Sequence, residues 1–152
     1  MKEKNNSKKI KISFFGGTEE VTGSNYLVEI DGVRGKTRIL VDCGLFQGSR
    51  VSEEKNSQPF PYKPSFIDAL LVTHAHLDHV GRIPKLVKEG FRGKIYSTYP
   101  TKDFAKIMLI DSIGVLSKEA KRDGKNFPIY QEEDVDKAMS LWEAKNYRES
   151  FE

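Results

Sequence analysis

Cysteine and histidine are both scarce in this chain of 152 residues. It has one cysteine, Cys43, and three histidines. A single cysteine excludes an internal disulfide framework and fits a reducing compartment, so a cytoplasmic location is expected. Long apolar runs are also missing. None approaches the roughly 20 residues that a helical membrane span needs, and a mean hydropathy of −0.55 agrees. The basic start, "MKEKNNSKKIK", is followed by no apolar core and no small-residue cleavage site, which excludes a secretory signal. The net charge of +3 is small, and five of the 25 basic residues fall in the first eleven positions. Residues 1–9 therefore read as a flexible, solvated basic tail rather than a nucleic-acid arm.

What is present is concentrated. All three histidines lie in "THAHLDHVGR" (73–82), as His74, His76 and His79, with Asp78 among them. The segment before it, 68–73, is a continuous apolar run, as is 38–42, and both read as strands covered on two faces. Ile10, Ile12 and Phe14 alternate with polar residues, which predicts a half-buried strand. Residues 24–30 predict another, ending in a turn at Asp31-Gly32. The polar, proline-bearing stretch 47–64 predicts a long surface loop. Beyond the histidines, 80–88 predicts a short helix with Pro84 in its first turn, and 94–97 a strand. In 101–122, Phe104, Ile107, Met108, Leu116 and Ala120 recur at helical spacing, with Gly114 costing about 1 kcal/mol relative to alanine. Val135, Ala138, Met139 and Trp142 mark a last helix, opened by acids that suit its positive pole. Strands followed by alternating strands and helices indicate an α/β or α+β layered fold.

Along an extended segment, side chains two apart share a face, so His74 and His76 can converge on one ion. Asp78 and His79 follow where the chain bends into a helix and can reach a neighbouring position. Imidazole and carboxylate suit zinc and similar metals. Ordinary packing histidines are the bland alternative, and the crowding of every histidine beside an acid argues against it. A catalytic zinc typically takes three protein ligands plus water, so a pair calls for about six contacts where the cluster supplies four. Asp42, at the end of an apolar strand and two residues before Gly44, is the nearest further acid. It can ligate, cap a turn, or orient a histidine by accepting its N–H, and the last is the expectation. Cys43 is a possible ligand but reads better as a small buried hydrophobe.

With those residues in view, the sequence resembles the metallo-β-lactamase superfamily, whose HxHxDH hallmark stands here as "HAHLDH". The segments "FFGGTEEVTGSNYLVEI", "ILVDCGLFQG" and "IDALLVTHAHLDHVGRIPKLVKEGFRGKIYST", with the helical "DSIGVLSKEAKR", look like its β-CASP branch of RNA-processing nucleases. The resemblance implies an αββα four-layer sandwich, of which residues 10–152 are the N-terminal part. It implies two zinc ions per complete site, His74 and His76 serving one and Asp78 and His79 the other. Asp42 and Asp78 are then the catalytic acids, and a water between the metals attacks an RNA phosphodiester. Family members continue with another histidine, a bridging aspartate, the β-CASP domain and a final histidine. These are absent, so the expectation is a portion of a larger ribonuclease, poorly active alone. A thioester or lactam hydrolase and a non-catalytic RNA- or partner-binding module are the competing readings. Asp111 and Ser112 read as a helix-surface polar pair rather than as site residues. Glu19 and Glu20, in a loop the family places near the metal face, have no evident role. Trp142, Tyr147 and Phe151 read as core, or as a homodimer contact where left uncovered, rather than as stacking platforms for RNA bases.

Overall fold

The computed structural model describes residues 9–32 and 35–150. Six strands form one sheet in chain order: β1 (Ile10–Phe14), β2 (Tyr26–Gly32), β3 (Gly35–Val41), β4 (Ala69–Leu71), β5 (Lys94–Thr98) and β6 (Trp142–Lys145). The first three pair antiparallel, and β3 to β6 run parallel. Parallel neighbours need crossovers, which are supplied by α1 (Arg50–Glu54), by α2 (Leu77–Val80) with α3 (Ile83–Lys88), and by α4 (Tyr99–Arg122) with α5 (Glu132–Leu141). The polar stretch after β3 is thus not a plain loop: α1 is capped by the Ser49 side chain, which accepts from the Ser52 amide, and two short 3-10 turns follow.

The two faces of the sheet differ. The register aligns Leu27, Leu40, Leu70, Ile95 and Trp142 in one row across β2 to β6, and all five are buried. Leu86, Leu109, Val135 and Ala138 from the helices join the same core. The alternate positions form the opposite row, in which Phe14 meets Tyr26, Val41, Leu71 and Tyr96. Ile12, Val28, Ile39 and Ala69 lie beside it. This face stands open: Ile12 is 53% and Phe14 59% exposed. The described residues therefore make two of the four layers of the expected sandwich, one of helices and one of sheet. Among the described residues, strands β3 and β4 are covered on one face only, and β1 is less buried than its alternation predicts.

Two further expectations change. Trp142 does not extend α5 but opens β6, its indole N–H donating to Ser97 Oγ at 2.8 Å. Helix α4 buries Thr101, Ala105, Leu109, Ser112, Leu116 and Ala120, whereas Phe104 and Ile107 are exposed. The acids expected to open α5, Glu132, Glu133 and Asp134, do occupy its first turn, and Gln131 and Asp134 cap the helix reciprocally. Phe151 lies outside the described residues.

Leu70 carries the packed face and Ile12 the open one. Leu70→Ala should lower the unfolding free energy by about 2–5 kcal/mol, and Ile12→Ala by no more than about 0.5 kcal/mol. Urea midpoints of the two variants check this, and similar losses at both sites would mean that the second face is covered in solution.

Candidate metal centre

The histidines are placed by a backbone zipper. The chain leaving β3 hydrogen-bonds to the turn around α2: the Cys43 amide donates to His79 O at 2.8 Å, Leu45 to Leu77 O at 2.8 Å, and the Arg82 amide to Cys43 O at 2.9 Å. The Ser24 amide donates to Asp78 O and Gly44 to Ser24 O, each at 2.9 Å, which ties in the chain entering β2. Gly44 is required here, because a Cβ at that position would overlap the Asp78 carbonyl. His76 is the N-cap of α2, in extended conformation, and Asp78 and His79 sit on its single turn.

The zipper gathers the three imidazoles. The His74 ring lies 4.8 Å from His76 and 3.9 Å from His79, centroid to centroid. Asp78 Oδ2 is 3.5 Å from His79 Nε2. All four expected metal residues are thus brought together. Asp42, 1% exposed, lies beneath them. Its Oδ1 accepts from the Thr73 amide at 2.8 Å, and its Oδ2 accepts from Thr73 Oγ1 and His79 Nδ1, each at 2.8 Å.

That network assigns the imidazole tautomers. A carboxylate only accepts, so His79 Nδ1 carries a hydrogen. Thr73 has one hydroxyl proton, which it gives to Asp42. In its 3.0 Å contact with His74 Nδ1 it must therefore accept, so His74 Nδ1 also carries a hydrogen. Burial, followed by the neighbouring His79 and His76, holds the His74 pKa below its ordinary value, which favours the neutral ring. Neutral imidazoles whose second nitrogen is held by a carboxylate or hydroxyl are the form in which histidine binds metals. The residues fit a metal in kind. In number they are a partial shell: among the described residues, no group of three or more His, Cys, Asp and Glu could hold an ion.

Asp42 adopts a left-handed backbone, with φ 59°, an uncommon conformation for a side-chain-bearing residue. Buried Asn25 holds it there, donating from Nδ2 to Asp42 O at 2.8 Å, while Tyr62 donates to Asn25 Oδ1 at 2.9 Å. Sequence reasoning overlooked Asn25, Tyr62 and Thr73. Only Thr73, adjoining the first histidine, carried any local signal. Cys43 is fully buried, and burial pushes its thiol up to about 11. Ser112 does not face solvent with Asp111 but contacts Tyr130 Oη inside the core at 2.6 Å. Glu20 pairs with Lys55 at 2.6 Å, and Tyr147 is exposed.

A family model described as a metallo-beta-lactamase superfamily domain matches residues 27–152. The chain is 42% identical over 130 residues to ribonuclease TTHA0252 of Thermus thermophilus, covering 86% of this chain and 27% of that protein. To the transcription termination factor FttA of Methanosarcina mazei it is 39% identical over 118 residues, covering 74% and 17%. It therefore spans about a quarter or less of the length of these relatives. A solved Cronobacter sakazakii metallo-beta-lactamase with a HARLDQ motif aligns at a TM-score of 0.34 and 19% identity, over 70% of this chain and 34% of that one. At that score the likeness carries no argument.

Two outcomes follow from the geometry. Long-range proton–nitrogen spectra of the metal-free chain should report a protonated Nδ1 in both His74 and His79. Thr73→Val should remove the preference at His74; an unchanged His74 spectrum would refute the hydroxyl's role. Cys43 should be alkylated by iodoacetamide at pH 8 at least about tenfold more slowly in the folded chain than in urea, as expected of a buried thiol.

Proposed function

The chain belongs to the metallo-β-lactamase superfamily, and from that premise we propose that it carries the metal-binding turn of a zinc-dependent ribonuclease of the β-CASP branch. The observation that carries the reading is the convergence of His74 and His79, each with Nδ1 engaged from behind, beside His76 and Asp78. His74 and His76 would hold one ion and Asp78 and His79 the other. Imidazole and carboxylate donors without thiolate suit zinc. When bound, the metals lower the pKa of a water and offset charge on phosphoryl oxygens.

The chain's own residues perform the preparatory work. Asp42 retains the His79 Nδ1 proton and orients the ring. Thr73 transmits the same constraint to His74. Burial and the neighbouring histidines favour the neutral form of His74, so that its donor nitrogen need not shed a proton on binding. RNA as substrate is supported by the names of the relatives, a ribonuclease and a transcription termination factor. Four donors are fewer than the roughly six that two zinc ions take from protein, so the isolated chain retains metal weakly and cleaves slowly.

The decisive experiment combines plasma mass spectrometry with a cleavage assay. After dialysis, the purified chain should keep well under two zinc ions. With zinc added it should cleave RNA slowly, stop with EDTA, and leave a chromogenic lactam intact. His76→Ala should lower the rate by at least about 100-fold. Lactam turnover without RNA cleavage would reassign the substrate, and EDTA-resistant cleavage would remove the metal from the chemistry.

A further inference from the structure

Helix α4 carries more apolar surface than its packing uses. Its buried stripe runs through Thr101, Ala105, Leu109, Ser112 and Leu116. Phe104 is off that stripe and 62% exposed, although burying an aromatic ring is among the larger single gains available to a fold. The ring is not idle surface. It lines a groove of about 460 Å³ with Pro100 and Met108 on one wall and His74 and His76 on the other. That volume lies in the range of roughly 300–1,000 Å³ typical of small-ligand sites.

We propose that this groove is a nucleobase subsite, in which the Phe104 ring stacks on the base of the nucleotide adjoining the phosphate at the histidines. The inference rests on the ribonuclease reading and adds the part of the substrate that leaves the metals and meets the protein. Two points support it. The groove is continuous with the histidine cluster, so whatever fills it lies beside the reacting group. A protein segment seated there would instead cap His74 and His76 and close the centre to any substrate, which favours a small planar occupant.

The wall chemistry also limits how that occupant is read. The apart-from-histidine lining is apolar except for Thr101, which is 9% exposed and whose hydroxyl is 2.9 Å from that of Thr98. The α4 wall therefore offers a surface for stacking rather than a set of hydrogen-bonding groups that would distinguish one base from another. Stacking on an aromatic side chain tolerates any base, since every base has a π face. The subsite should hold adenine and uracil alike, and cleavage at this centre should show little preference at the stacked position.

The test measures binding without metal or cleavage, by fluorescence anisotropy of labelled oligouridylate with the full chain in EDTA. Phe104→Ala should bind about tenfold more weakly, Phe104→Tyr should bind like the parent, and Ile107→Ala should be unchanged. Ile107 is the internal control, being 64% exposed on the same helix but outside the groove. An abasic ribose-phosphate chain of equal length should bind parent and Phe104→Ala equally, and oligoadenylate should reproduce the Phe104 effect. Circular dichroism verifies that the variants fold. Equal oligouridylate affinity for parent and Phe104→Ala, or no measurable binding by the parent, overturns the subsite. So does a loss of self-association in Phe104→Ala, which would assign the groove to a second copy. EDTA-sensitive cleavage that survives with Phe104-independent binding sinks the subsite alone. Phe104-dependent binding by a chain that never cleaves RNA sinks the ribonuclease reading alone.

Discussion

The structure turns on the close approach of two backbone segments, 42–45 at the end of β3 and 77–82 around α2. Their hydrogen bonds run in both directions, from Cys43 and Leu45 to the turn and from Arg82 back to Cys43. Backbone can come this near only where a side chain is missing, and Gly44 supplies that gap against the Asp78 carbonyl. Through this contact an acid 37 positions from His79 in the chain becomes its hydrogen-bond partner. The tautomers, the ring packing and the groove beside the histidines all depend on it.

The same approach concentrates polar groups where water is excluded. A buried carboxylate is costly unless it is well bonded, and Asp42 meets that requirement with three donors. Its left-handed backbone is held from outside the loop, by Asn25 and in turn by Tyr62. Arg82 is buried nearby, 4% exposed, with its charge over the Phe46 and Phe60 rings at 4.5 and 5.4 Å. Its side chain also donates to Gly44 O, so a buried cation braces the glycine on which the zipper depends. The site is thus supported from below by Asn25, Asp42, Tyr62 and Arg82, none of which lies between His74 and His79.

Apolar pattern and burial part company in two places. The alternation in β1 correctly marks a strand, yet Ile10, Ile12 and Phe14 stand on the open side of the sheet. Alternation distinguishes two faces without saying which is covered. In α4, Phe104, Ile107 and Met108 form one apolar stripe and Ala105, Leu109 and Leu116 another. Both have helical spacing, and small Ala105 lies inside while bulky Phe104 lies outside, because the helix must lie close to the sheet. Trp142 was misplaced for a related reason. One buried tryptophan at the end of a helical pattern fits either a last turn or the first residue of an edge strand.

The sequence by itself determined the local order of strands and helices, the cluster formed by His74, His76, Asp78 and His79, and the family to which their spacing points. Those properties depend on neighbours within a few residues, or on a motif short enough to be read whole. Tertiary structure alone decided which face of the sheet is packed, that Asp42 orients His79 instead of capping a turn, that Thr73 sets the His74 tautomer, and that Asn25 and Tyr62 stand behind both. Each of these relations joins positions far apart in the chain or depends on the direction of one proton. They exist only once β3, β4 and the turn before α2 have been brought into register.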